Sequence, residues 1–340
     1  MHGMRISLIP FTTMALVIAV ASPAGAATST STFTVSGELS GLVTAQTVRL
    51  QTDTIVVTGD TTIVAEILEF TSAKPRIVTH GHSLKIKVSK AISPGIQQEI
   101  LYDSSGSAGA DGRKGANGQN GFPGRQGWPG HNDCYAGFGW RGDDGTSGFY
   151  GQPGTNGENG RDGGDIYLEI PYGSEDSFRL VADGGRGGNG GGGGKGGDGG
   201  AGGFGGKGGD AYAFDCFPGD GGDGGNGGNG GSGANGGAGG FGRNGGHIYV
   251  TYPPGYDPGW ISTSSAGGGG GDGGRAGAGG AAGGVGGGGE PGFNWSFPYC
   301  FICFGNPGAP GWYEGLEGFS SYDGSDGSGG WEGTINIVPQ

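Results

Sequence analysis

The sequence predicts an all-β chain: a β-solenoid-like base carrying three inserted antiparallel hairpins of glycine-rich threefold helix, six legs that form a rod with aromatic and cysteine-containing tips. Three observations predict it. Glycine makes up 93 of 340 residues and recurs every third position in paired runs of equal length. Short β-branched strands precede, separate and follow those runs. All four cysteines fall at the turns between paired runs.

The amino terminus reads as an export signal over residues 1–26, with Arg5, an apolar stretch from Ile6 to Val20, and small residues Ala24 and Ala26 before the expected cleavage. No second apolar run is long enough to span a bilayer, so no transmembrane segment is expected and the mature chain is placed outside the cell or at its surface. The net charge of −13 repels phosphate backbones and argues against a nucleic-acid partner.

Residues 27–105 form the solenoid-like domain. Its strand language includes Phe33 and Val35, Ile55 to Val57, Ile63 and Val64, Ile77 and Val78, and Leu84, Ile86 and Val88. TIVVTGD followed by TTIVAEI returns about 21 residues later as PRIVTHG followed by HSLKIKV, the period of stacked coils. The same pairing recurs three times with a glycine excursion between its halves: 99–105 with 164–170, 177–183 with 246–252, and 260–266 with 333–339. Residues 106–333 are thus the rod, interrupted by base strands at 164–183 and 246–266, and residues 334–340 supply the last strand.

The middle excursion has glycine at every third position from 185 to 209 and again from 221 to 245, and the first matches it at 106–130 and 139–163. The third leaves in the same metre from 268 to 292. It returns irregularly, with a one-residue slip between Gly311 and Gly315 and Ser321 in a glycine slot. A threefold helix rises about 3.1 Å per residue, so each leg spans roughly 75 Å. Legs one and two are Gly-X-Y, with one bare face. Legs three and four are largely Gly-Gly-X, with two, which assigns the middle hairpin the most neighbours.

GADGRKGANGQNGFPG and GGDGGNGGNGGSGANGGAGGFG resemble the polyglycine-II sandwich proteins, the class of snow flea antifreeze protein and of bacteriophage tail-fibre adhesin tips, and legs one and two are collagen-like in composition. The resemblance covers 106–333. It implies bundled antiparallel threefold helices, disulfide staples, and either ice binding or host recognition by loops at the bundle end. The export signal and the β-domain depart from a phage fibre tip.

Rings crowd the turns, and Trp128, Tyr135, Trp140, Tyr212, Phe217, Trp295, Tyr299, Trp312 and Tyr313 are the candidate ligand-binding residues. They read either as a recognition surface of rigid rings or as an apolar cap on a rod without a core. Export makes disulfides the default for Cys134, Cys216, Cys300 and Cys303, in one of three pairings; four such thiols would also suit a zinc ion. Asn294-Trp295-Ser296 is a glycosylation sequon. No nucleophile motif or metal-ligand spacing accompanies the five histidines, so neither a catalytic residue nor a cofactor is assigned. The expected function is a non-enzymatic adhesin, with a surface glycan or protein as ligand. A self-associating coat or matrix component and an ice-binding protein are the alternatives.

Overall fold

The computed structural model describes residues 31–93, 98–213, 216–295 and 303–340; the export signal read over residues 1–26 lies outside them. The described secondary structure is eleven strands and one short 3-10 turn, Pro258–Trp260. The strands are β1 (Thr32–Val35), β2 (Glu38–Leu50), β3 (Thr54–Phe70), β4 (Arg76–Val78), β5 (Leu84–Ile92) and β6 (Glu99–Asp103), followed by β7 (Ile166–Glu169), β8 (Ser177–Val181), β9 (Ile248–Tyr252), β10 (Ile261–Ser264) and β11 (Ile335–Pro339). No described helix is long and apolar enough to cross a membrane.

Every strand pairing is parallel. β3 is the fork of the sheet: Thr54–Val56 pairs with β4 and Thr61–Glu69 with β5. From it one branch runs β4-β6-β8-β10 and the other β5-β7-β9-β11. Each coil contributes one strand to each branch, the arrangement of a β-solenoid. Period-two alternation turns one side of each strand inward, and parallel register then stacks like on like. Ile55, Ile77, Tyr102 and Leu180 form one buried ladder, and Ile63, Ile86, Leu168 and Val250 another. Burying each such side chain stabilises by about 1.5–3 kcal/mol.

One sequence expectation changes. TIVVTGD and TTIVAEI are a single 17-residue strand and not two. The Gly59–Asp60 corner keeps extended backbone, and a Cβ at Gly59 would make only ordinary contact, 3.7 Å from Ser40 Cβ. Strand therefore runs through the corner. At the next coil the same corner is a true turn, where His80 (φ 50°) and Gly81 (φ 87°) both adopt left-handed conformations.

All three excursions leave from this corner, between β6 and β7, β8 and β9, and β10 and β11. Its floor is polar and closed. The hydroxyls of buried Thr79 and Ser104 lie 2.8 Å apart and 2.6 and 2.7 Å from the His82 carbonyl, so one donates to that carbonyl while the other donates either to it or to the first hydroxyl.

Along the excursions two rules of hydrogen bonding hold. Each leg donates to the next leg of its own layer in parallel sense: Gly109 and Gly112 of leg one to Arg186 and Asn189 of leg three, Gly187 of leg three to Gly269 of leg five, Gly142 of leg two to Asp223 of leg four, and Gly239 of leg four to Ser325 of leg six. Each leg also donates back to its predecessor in antiparallel sense: Glu158 to Ala110, Gly188 to Glu158, Gly240 to Gly188, Gly271 to Gly240, and Gly327 to Gly271. Outgoing legs 1-3-5 make one layer and return legs 2-4-6 the other. Legs three and four each bond to four neighbours. Accordingly, consecutive glycines of leg three face different legs: a Cβ at Gly196 would lie 1.8 Å from the Gly231 carbonyl oxygen, and one at Gly197 1.9 Å from that of Gln119.

Where the adjacent leg carries an Asp or Asn in register, that side chain accepts the N–H of the third residue of a triplet. Asp111, Asn117, Asn120 and Asn132 of leg one take the N–H groups of Asn189, Lys195, Asp198 and Asp210, always 78 residues on. Asn156, Asn159 and Asp162 do the same for Ala238, Phe241 and Asn244, 82 residues on. Thus a whole triplet is satisfied: Gly196 donates to Ala278, Gly197 to Phe149, and Asp198 to the Asn120 side chain.

Asp198 is itself such an acceptor, and the Ala281 N–H together with the Lys195 ammonium holds its carboxyl below the ordinary carboxylate range. A depressed pKa contributes stability that is present above the unfolded value and lost as pH falls through the folded one. Asp198→Asn keeps the acceptor for Ala281 but loses the ion pair with Lys195. The gap in unfolding temperature between wild type and this variant should be open at pH 7 and close in acid below the ordinary carboxylate range; a pH-independent gap would refute this account. Glycine identity is testable in the same assay. Gly197→Ala should destabilise by at least roughly 1–3 kcal/mol. Gly269→Ala, whose Cβ would meet nothing within 4 Å, should be neutral or stabilising by roughly 0.4–1 kcal/mol.

Candidate functional site

The far ends of the three excursions meet in one tip. Leg one ends and leg two begins across a backbone bond from Trp140 N–H to the Trp128 carbonyl. Cys134 of the first turn is disulfide-bonded to Cys216 of the second. Phe217 N–H donates to the Cys134 carbonyl and Ala136 N–H to that of Phe217, forming a small parallel bridge that stacks Tyr135 on Phe217 at 6.4 Å. Asn132 Nδ2 donates to the Tyr212 hydroxyl.

The third turn joins through Asn294. This residue is fully buried, and its amide donates to the carbonyls of Ala213 and Cys216. Trp295 N–H donates to Ala211, and Phe293 packs against both Trp295 and Phe304 at 5.1 Å. The sequon at Asn294 is therefore structural: the folded tip leaves its amide nowhere to carry a glycan. Asp210 closes the root of the second turn. Partial burial acts to raise its pKa, but the Lys207 ammonium and the Phe293 N–H outweigh that and hold the carboxyl low.

The tip is solid at its centre and apolar on its surface. Ala211, Cys216 and Asn294 are almost inaccessible, whereas Trp128, Tyr135, Trp140, Tyr212 and Trp295 are each 60–77% exposed and Phe217 is half exposed. Tyr299 and Cys300 lie outside the described residues. Cys303 is disulfide-bonded. The Cys134–Cys216 bond removes two thiols from the four-cysteine zinc site weighed on sequence grounds, and no group of metal-ligating side chains occurs among the described residues.

Trp312 and Tyr313 are not in the tip. They sit within leg six, where the metre slips. Gly308 and Gly311 pack on Gly222 and Gly225 of leg four, but Gly315 packs on Gly228. The extra residue is accommodated as a bulge, and Asn226 Oδ1 accepts both the Trp312 and the Tyr313 N–H. Below the bulge a feature unread in the sequence appears. Tyr313, Leu316, Phe319, Tyr322 and Trp331 are spaced by threes or a multiple of three, with Ser325 and Ser328 filling the gap, and the five are 72–81% exposed. All five share one phase of three in the sequence; the slip changes only the offset of that phase from the glycines, which moves from 305, 308 and 311 to 315, 318 and 324.

No protein-family profile matches the chain, and no curated protein does. Among solved structures the chain is similar to a springtail antifreeze protein from Granisotoma rainieri, a bundle of nine polyproline type II helices whose crystal waters match the ice lattice. The identity is 23%, over 60% of this chain and 96% of that one, with a TM-score of 0.10. A likeness at that score carries no argument about this chain.

Because the disulfide closes 82 residues of sequence between the first two turns, a Cys134→Ser/Cys216→Ser variant should lose about 4 kcal/mol of stability on chain-entropy grounds. Chemical unfolding of the oxidised protein and of the variant measures the difference, and equal stabilities would show that the bond does not staple the tip.

Proposed function

We propose that the three excursions are polyglycine-II hairpins and that the protein is a secreted or surface-attached, non-enzymatic adhesin whose rod presents the aromatic tip to a surface glycan or protein. The helix type is supported by the threefold hydrogen-bond repeat. It is supported too by ion pairs at i,i+3 along single legs, Arg141–Asp144, Lys195–Asp198 and Lys207–Asp210, since a threefold helix brings residues three apart onto one side.

The observation that carries the binding function is the position of the rings. A cap whose task is to close a rod buries its apolar surface, for that burial is its whole contribution. Here the described tip is closed by a disulfide, a buried asparagine and backbone bonds, and its indole and phenol rings remain outside. Exposed rings that pack on other rings, as Tyr135 does on Phe217 and Trp295 on Phe293, make the kind of apolar surface that marks interaction sites. They lose little conformational freedom on binding and offer flat faces for stacking. The acidic net charge favours neutral or basic partners.

The test is binding of the mature protein to a broad glycan and cell-surface panel beside a Trp128→Ala/Trp140→Ala/Trp295→Ala variant. The expected result is binding by the wild type that weakens at least tenfold in the variant, while unfolding shifts by under about 1 kcal/mol, as exposed positions allow. No binding by either protein, or a variant that binds unchanged, would leave the tip as a closure only.

A further inference from the structure

Leg six carries a second surface, remote from the tip. The carbonyls of Tyr313, Leu316, Phe319, Tyr322 and Trp331 accept the N–H groups of Gly227, Gly230, Gly233, Gly236 and Gly245. The N–H groups of Leu316, Tyr322 and Trp331 go to Asn229, Asn235 and Asn244. With the backbone held from both directions, these side chains leave the rod in one straight file. No described ring of the file stacks on another: they are separate, flat and open to solvent.

Beside the file runs a row of carboxamides from leg four. Oxygen of Asn226, Asn229 and Asn244 is committed to backbone N–H groups of leg six. That commitment also decides which amide atom is which, because only oxygen can accept an N–H. Each NH2 is thereby turned away from its partner leg, and none has a protein acceptor among the described residues. On the other flank stand Glu314, Glu317, Asp323, Asp326 and Glu332, of which Asp323 and Asp326 accept the Ala276 and Gly273 N–H groups.

We infer that leg six and its asparagine row bind an uncharged, extended β-1,4-linked polysaccharide lying lengthwise on the rod. Such a chain has equatorial substituents, so its sugar rings expose flat C–H faces for stacking while their hydroxyls project sideways. Phe319 and Tyr322, three residues apart on a threefold helix, stand about 9 Å from one another, close to the length of one disaccharide of that chain, and Tyr313 and Trp331 lie two and three such steps beyond them. Asparagine NH2 groups alongside meet its hydroxyl oxygens, and the carboxylate flank turns away anionic polymers. This rests on the rod geometry proposed above and not on the tip.

The probe is amorphous cellulose, with an α-linked dextran and an anionic polygalacturonate as controls, in a sedimentation assay of the mature protein. The informative variant is Phe319→Ser/Tyr322→Ser/Trp331→Ser, because Ser325 and Ser328 already occupy the same column without disturbing the metre. Wild type should partition onto cellulose and not onto the controls. The triple variant should partition at least tenfold more weakly with an unchanged unfolding transition. A Trp128→Ala/Trp140→Ala variant, altered only at the tip, should match wild type. If the triple variant does not fold, the single changes Phe319→Ser and Trp331→Ser are expected to show graded losses. A folded, elongated wild type that ignores cellulose, or Ser variants retained as well as wild type, would overturn the inference while leaving the tip reading untouched. A file whose replacement changes only self-association, seen by analytical ultracentrifugation, would overturn it in favour of a second copy of this chain.

Discussion

The close approach of one backbone to another, with a glycine N–H on one leg meeting a carbonyl on the next, is the constraint from which the rest of this architecture follows. At most of the inward positions a single methyl group would come within about 2 Å of a neighbouring carbonyl oxygen, as at Gly115 against Gln152 and Gly205 against Gly222. Ordering a residue costs about 1–2 kcal/mol, and more for glycine, whereas one hydrogen bond returns a net 0.5–1.5 kcal/mol. Hydrogen bonds alone do not carry such a rod comfortably. Its ends must be held by other means, and both are: the base gathers six leg roots at one corner, and the tip is cross-linked.

The base and the rod are one register. Parallel coils stack about 4.8 Å apart, and each coil from β6/β7 onward launches one hairpin, so the displacement of coil upon coil becomes the displacement of hairpin upon hairpin. The aspartate and asparagine acceptors read this out, reaching 78 residues along from leg one to leg three and 82 from leg two to leg four. A lost or gained residue in any excursion would shift everything beyond it. The slip in leg six is the instructive case: Asn226 accepts two successive N–H groups, the offset changes from 86 to 87, and the metre resumes. Leg five answers it, for Val285 stands beside the bulge, against Gly311, where its neighbours in that phase are the smaller Ala282 and Gly288.

A rod with glycine inside leaves its side chains outside, in files that follow the legs. The outer surface is then free of packing demands. Asp and Asn are used there for N–H acceptance and paired charges for solubility, while rings stand along the legs at Phe122, Phe149, Tyr150, Phe204 and Phe241 and gather at the tip and in the file on leg six. An ordinary core would have absorbed those rings.

Much of this was legible from the chain itself. The repeat of glycine identified the legs, because no other residue permits such contact; equal leg lengths identified the hairpins; and the doubling of glycine in legs three and four marked them as central. Alternating β-branched residues located the base strands. Relations between distant segments were not legible. Parallel register, the Cys134–Cys216 pairing and the burial of Asn294 all depend on which residue stands beside which after about 20 to 90 intervening positions, and a local repeat is silent on that. Periodicity is a property of one leg and can be read from one leg. Adjacency is created only when the coils stack, and the tertiary structure alone decided it.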